Sequence, residues 1–172
     1  MKNLKMACCF TGHRPAKLTW GYDESNTACK KLKKELAFWI TKLIEFGVTD
    51  FYTGMAMGVD IWAAEIILNL KKEYQNREIK LIAAIPYEGQ TNKWSDDWKQ
   101  RYNKILDVSD KKILLQQQYT RGCLHARNRF MVDKSSFIIA VFNGEEGGTK
   151  YTIEYAQKKQ LRIKIIDPQQ FI

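Results

Sequence analysis

Asp50-Phe51-Tyr52-Thr53-Gly54-Met55-Ala56-Met57-Gly58-Val59-Asp60 is the stretch in which the chain changes from strand to helix periodicity. Phe51, Tyr52 and Thr53 are aromatic or β-branched, residues that suit a pleated, buried surface. From Trp62 the apolar residues Trp62, Ala63, Ile66, Ile67 and Leu70 recur at helical spacing, the stripe of a helix packed on a sheet. Gly54 is expected to supply the backbone conformation of a sharp strand-to-helix turn, and Gly58 to let a ligand or another backbone come close. A helix entered this way presents unpaired N–H groups and a partial positive charge, which suits a phosphate. The spacing is not the G-x-G-x-x-G fingerprint, so a tight turn whose glycines serve packing alone is the competing reading. Met55 and Ala56 share the turn and join the candidate site. Asp60 is favourable near a helix N-terminus by ~0.3–1 kcal/mol for electrostatic reasons, a role that stands level with binding ribose hydroxyls.

Upstream, residues 6–10 form an apolar run expected to be a parallel strand buried on both faces. It ends in Thr11-Gly12-His13-Arg14-Pro15. Ligands of open α/β sheets sit at strand carboxyl ends, so Gly12, His13 and Arg14 are candidate ligand contacts, Arg14 through paired hydrogen bonds to a phosphate. Trp20 and Tyr22 follow in a loop, either as a lid that stacks on a base or as packing over the sheet edge. A helix is expected over 24–46, with Leu32, Leu36, Ile40 and Leu43 on its buried stripe and Gly47 as its terminator.

Downstream, strands are expected over 79–85, 112–115, 137–142 and 163–166, with the apolar 137–142 run central in the sheet. Helices are expected from Ser95 to about Leu106, over 124–134, and after Gly147. In the 124–134 helix, at ~100° per residue, Leu124, Asn128 and Met131 share a face with Arg127 on its flank. An Asn and an Arg beside an apolar face are costly unless paired, so Arg127 and Asn128 are expected to meet a ligand or a backbone carbonyl. Asn143 and the Gly147-Gly148-Thr149 run form a second glycine-rich helix start, with Thr149 placed to cap the helix or hold a phosphate. Strand and helix alternate throughout, which predicts an α/β fold: a Rossmann-like three-layer sandwich, its mostly parallel sheet covered by helices on both faces.

At 172 residues the chain is expected to be one domain, 1–172, large enough for a real core. Its 45% hydrophobic and 27% charged content is that of an ordinary globular protein. No apolar run approaches the ~20 residues of a bilayer span, and Met1 to Lys5 leads toward a strand without a signal-peptide core. A cytoplasmic protein with no membrane partner is expected. Four cysteines without C-x-x-C or zinc-ligand spacing point to reduced thiols and no metal. The net charge of +9 favours anionic partners, although the runs Lys30-Lys31, Lys33-Lys34, Lys71-Lys72 and Lys158-Lys159 read as solvated helix faces.

Several of these segments resemble a known superfamily. The Thr53-to-Asp60 segment with Ala63 and Ala64 is similar to the glycine-rich motif of the DNA-processing protein A (Smf) Rossmann domain. Arg127-Asn128-Arg129 ahead of Ser135-Ser136 resembles that family's Arg-Asn-Arg segment, and Gly147-Gly148-Thr149 with Glu154 resembles the Gly-Gly-Thr and glutamate region of the Lonely Guy phosphoribohydrolases. Together they place the chain by resemblance in the SLOG (Smf and Lonely Guy) superfamily. The Thr-Gly-His-Arg opening and the Ile85-Pro86-Tyr87 exit resemble its small YpsA-like branch. The resemblance implies a nucleotide or nucleotide-derived ligand of the NAD or ADP-ribose kind, and a cytosolic role in stress response or cell-division control. Expected partners are that small molecule, a second copy of the chain and a cell-division protein.

The phosphoribohydrolase pattern Pro-Gly-Gly-x-Gly-Thr-x-x-Glu is altered here: the proline is absent and Glu154 lies about two residues late, roughly 200° around a helix. The 172 residues also leave nothing for an additional DNA-binding domain. A nucleotide-binding sensor or regulator is therefore the first expectation. The alternatives are a nucleotide N-glycosidic hydrolase using Glu154 or Asp60, and a single-stranded nucleic-acid binder that stacks bases on Trp20, Tyr22 or Trp94.

Overall fold

The computed structural model describes residues 5–172; the lead-in Met1 to Leu4 lies outside the described residues. Strands and helices alternate as β1 (Ala7–Gly12), α1 (Thr27–Phe46), β2 (Asp50–Thr53), α2 (Val59–Glu73), β3 (Lys80–Ile85), α3 (Asp96–Val108), β4 (Lys111–Leu114), α4 (Cys123–Lys134), β5 (Phe137–Val141), α5 (Gly148–Lys158) and β6 (Arg162–Ile166). The six strands form one sheet in the order β4-β3-β2-β1-β5-β6. All five pairings are parallel, so the Rossmann-like architecture expected from the sequence holds, with a sheet that is wholly parallel.

Side chains of each strand alternate between two cores. Cys8, Phe10, Phe51, Leu81, Ala83, Ile139 and Val141 pack with α1, α2 and α3 on one face. Cys9, Tyr52, Ile82, Ala84 and Ile138 pack with α4 and α5 on the other. This division follows from handedness. Right-handed crossovers from β1 to β2, β3 and β4 carry their helices on one face, and the reversed direction through β5 to β6 puts α4 and α5 on the opposite face. The order therefore reverses at β1, and the loops leaving β1 and β5 part to opposite faces and open a crevice between them.

Three details differ from the sequence reading. β5 is fully buried but not central; it lies second from an edge, and its burial comes from helices on both faces. α1 begins at Thr27, not at 24, because Asn26 caps it by accepting the Ala28 N–H at 2.8 Å. Glu24 instead pairs with Arg101 and Lys33. Trp20 is buried in the core beneath the β1–α1 loop and is no lid, whereas Tyr22 is 55% exposed. Gly47 ends α1 in the left-handed conformation (φ 112°), its N–H donating to the Leu43 and Ile44 carbonyls. Lys30, Lys31 and Lys34 are exposed on α1, as a solvated face requires.

Gly12 sets how closely β1 meets α2. A Cβ there would lie 2.5 Å from Val59 Cγ2 and 2.8 Å from Val59 Cβ. Gly12→Ala is therefore expected to overpack this contact and lower the unfolding free energy by about 1–3 kcal/mol, read as a lower urea midpoint. Val59→Ala in the same chain should recover part of that loss. A midpoint unchanged by Gly12→Ala would contradict the contact.

Candidate functional site

A cavity of about 410 Å³ occupies the crevice at the carboxyl ends of β1 and β2, beside the helix starts of α4 and α5. Of the residues singled out from sequence, Gly12, His13, Arg14, Ala56, Asp60, Arg127, Asn128, Gly147, Gly148 and Thr149 line it. Segments far apart in sequence thus meet in one place, as the sheet order demands.

Arg127 holds them together. It is 4% exposed, its Nη1 donates to the Gly54 carbonyl, and its Nε donates to Asn128 Oδ1 at 2.8 Å. Asn128 Nδ2 donates in turn to Thr152 Oγ1 at 2.9 Å, and that hydroxyl donates to the Gly148 carbonyl at 2.8 Å. One chain of hydrogen bonds therefore runs from the β2–α2 turn through α4 to the first turn of α5. Burial draws the Arg127 pKa down, opposed by the nearby Asp60 charge.

The glycines of the opening stretch turn out to serve the chain itself. A Cβ on Gly54 would sit 2.6 Å from Arg127 Nη1 and 2.7 Å from Asp60 Oδ2, so Gly54 makes room for the guanidinium and not for a ligand. The left-handed positions of the turn are Met55 (φ 58°) and Gly58 (φ 90°), not Gly54. Met55 is buried and held on both sides: its N–H donates to Thr53 Oγ1 at 3.2 Å and its carbonyl accepts from Gln90 Nε2 at 3.1 Å. A Cβ on Gly58 would lie 2.9 Å from Pro15 Cδ, so the β1 exit loop closes this glycine off. Gly54, Met55 and Gly58 accordingly do not line the cavity. Asp60 does. Its carboxylate accepts the Ala56 N–H at 3.2 Å, and burial pushes its pKa up against the pull of Arg127.

The start of α5 is open toward the cavity, as is that of α4, which likewise has neither a side-chain cap nor an acid in its first turn. Gly147 precedes α5 with no side-chain cap, and the first turn of α5 carries no acid. Thr149 is 7% exposed, lines the cavity, does not cap the helix, and donates its hydroxyl to no other group among the described residues. Asn143 stays outside the cavity lining. Its side chain accepts the Glu145 N–H at 3.1 Å, while its own N–H donates to His13 Nε2 at 3.2 Å. His13 is therefore a neutral imidazole protonated on Nδ1, and burial lowers its pKa. Glu154 lies on the exposed side of α5, outside the lining.

Two basic lining residues escaped the sequence reading, Lys17 and His125. Lys17 lies in a short 3-10 turn, Pro15–Lys17, and its Nζ is 3.3 Å from where a Gly147 Cβ would be. His125 stacks on Tyr151 at 4.2 Å between ring centroids. A position one turn before Arg129 on α4 was the available signal for His125. Among the described residues no three His, Cys, Asp or Glu side chains cluster as metal ligands, and no helix is long and apolar enough to cross a membrane.

A doubly wound parallel sheet whose polar loops converge at the switch point defines a Rossmann-like α/β domain. The family model described as the YspA SLOG family matches residues 8–171, and the chain belongs to that family, within the SLOG superfamily. It is 32% identical over 149 residues to the SPbeta prophage-derived protein YoqJ of Bacillus subtilis, covering 79% of this chain and 86% of that protein. It is 29% identical over 153 residues to a UPF0398 protein of Bacillus cereus, covering 87% and 81%. Its fold is similar to that of DNA processing protein A from Helicobacter pylori, whose structure was described for its single-stranded DNA binding mode. That match has a TM-score of 0.62 and 18% identity, and covers 95% of this chain and 66% of the Helicobacter chain.

Two expectations follow from the buried polar groups. Arg127→Met leaves the Gly54 carbonyl and the Asn128 side chain without their donor and removes the positive charge near Asp60. The unfolding free energy should fall by about 3 kcal/mol; a loss below about 1 kcal/mol in urea titration would contradict the structural role of this hydrogen-bond chain. His13 supplies a pH dependence of definite sign. With its folded-state pKa lowered, the stability it contributes is whole above the ordinary imidazole value of about 6.5. That stability is lost as pH falls through the folded-state value. The parent's stability advantage over His13→Asn should therefore shrink on acidification from about pH 7 to 5, measured by urea titration at each pH; a gap that widens would reverse the assignment.

Proposed function

We propose that the crevice binds a nucleotide or nucleotide-derived ligand of the NAD or ADP-ribose kind, and that the protein acts as a cytosolic sensor or regulator. The observation that carries this reading is the uncapped start of α5 facing a cavity lined by Arg14, Lys17 and Arg127. Backbone N–H groups at a helix N-terminus, with cationic side chains around them, are complementary to a phosphate. The phosphate is assigned to Gly147-Gly148-Thr149 and not to the 54–58 turn, since Gly54 and Gly58 are closed by Arg127 and Pro15. Asp60 is the cavity's carboxylate and is suited to accepting from ribose hydroxyls.

The same geometry argues for binding over hydrolysis. A general base has to reach the water that it activates. Glu154, one of the two candidate bases, is exposed on α5 and outside the cavity. A single-stranded nucleic acid is the second reading, favoured by the net charge of +9 and by the likeness in fold to the Helicobacter protein. Salt separates the two: strand binding should collapse between about 50 and 200 mM salt through counterion release, and a nucleotide held in the crevice should not.

Gly148→Asp tests the assignment without endangering the fold. Gly148 is exposed at the first position of α5, where an added carboxylate favours the helix by about 0.3–1 kcal/mol. Affinity for ADP-ribose, NAD or AMP should nevertheless fall more than about tenfold, a loss above ~1.4 kcal/mol by calorimetry. Undiminished binding of a ligand that the parent binds would remove the α5 start from the site.

A further inference from the structure

A second cavity of about 460 Å³ is lined in part by residues that follow closely in sequence on those of the first. The β2–α2 turn is their common wall: Ala56 lines the first and Met57 the second. The segment leaving β1 serves both as well, with Arg14 and Lys17 in the first cavity and Tyr22 and Glu24 in the second. The two differ sharply in chemistry. The first sets three cationic side chains, Arg14, Lys17 and Arg127, against the single carboxylate of Asp60. The second is walled by Tyr22, Trp94 and Trp98, and its two cations, Lys93 and Arg101, are matched by two carboxylates, Glu24 and Asp97.

Arg101 is not free to hold an anion. Its guanidinium donates to both Glu65 and Glu24, with Nε to Glu65 Oε1 at 2.7 Å, and lies over the Trp98 ring at 4.3 Å. It serves as a fixed, neutralised support for the aromatic wall. Trp94 is braced edge-on by Tyr102 at 5.6 Å and Tyr22 edge-on by Trp98 at 6.4 Å, while Tyr22 keeps an exposed face. Braced aromatic rings beside a guanidinium already held by two carboxylates suit a flat group, and Asp97, the lining carboxylate that Arg101 does not engage, suits an exocyclic amino donor.

We propose that this second cavity seats the base of the ligand whose phosphate occupies the first, with Trp94 and Tyr22 as its stacking residues. The inference rests on the phosphate reading of the first cavity. It defines the ligand class as one in which an amino-bearing base is separated from a phosphate by enough chain to cross the turn. ADP-ribose and a short adenine strand both carry that chemistry.

Calorimetry with ADP-ribose, ribose 5-phosphate and a d(A)6 strand, on the parent and on Trp94→Ala, Tyr22→Ala and Trp94→Phe, tests it. Trp94→Ala should weaken the base-bearing ligand about tenfold or more, Tyr22→Ala should weaken it too, and ribose 5-phosphate should be unaffected. Trp94→Phe, which keeps a ring and the packing on Tyr102, should bind nearly as the parent does. A loss on ADP-ribose identifies a free dinucleotide-like ligand, and a loss confined to d(A)6 identifies a strand. If the parent binds ADP-ribose or d(A)6 and both alanine variants bind it equally well, the base seat is overturned and the phosphate reading stands. If the parent binds none of the three probes, the phosphate reading falls and the base seat falls with it.

Discussion

The buried guanidinium of Arg127 is the constraint on which the rest of this site depends. A full positive charge with 4% exposure is tolerable only with hydrogen-bond acceptors around it, and here they are a main-chain carbonyl of the β2–α2 turn and the side chain of its neighbour Asn128. Those two acceptors belong to different segments, so satisfying one side chain fixes their relative position. Through Asn128 and Thr152 the same bonds reach the Gly148 carbonyl and place the start of α5. A cation buried for structural reasons is thereby delivered to the wall of the crevice.

The glycines complement that arrangement by removing bulk where the chain must approach itself. Gly12 admits Val59, Gly54 admits Arg127, and Gly58 admits Pro15. Each close approach draws the β1 exit loop or α4 against the β2–α2 turn, and the cavity is the space left once these segments are seated. This explains why α2, with Asp60 in its first turn, carries its own negative charge, while α5 has neither cap nor acid. Of the two glycine-rich helix starts, one is consumed by packing and the other is open.

Much of this was legible in the sequence because it is periodic. Alternating strand and helix stripes predicted the α/β class, and the buried runs 79–85 and 137–142 predicted strands covered on both faces. The expectation that Arg127 and Asn128 would meet a ligand or a backbone carbonyl holds for Arg127, on Gly54, whereas Asn128 meets side chains instead, those of Arg127 and Thr152. What the sequence could not distinguish was which glycines face the chain and which face solvent, since Gly54 and Gly148 look alike until the third dimension brings Arg127 beside one of them. Trp20 likewise carries no periodic signal that separates a lid from a core residue. Lys17 and His125 were missed because each reaches the cavity from a surface segment, where a basic residue reads as solvated charge.

The central claim is that the crevice at the β1/β5 switch point, and not the lysine-bearing helix faces, is where an anionic ligand enters. Amide chemical shifts of isotope-labelled protein during titration with ADP-ribose test it most directly, because each N–H reports its own surroundings. The account predicts perturbations concentrated at Gly12, His13, Arg14, Ala56, Gly148 and Thr149. Shifts confined to the exposed face of α1 around Lys30, Lys31 and Lys34, with the crevice amides unmoved, would contradict it.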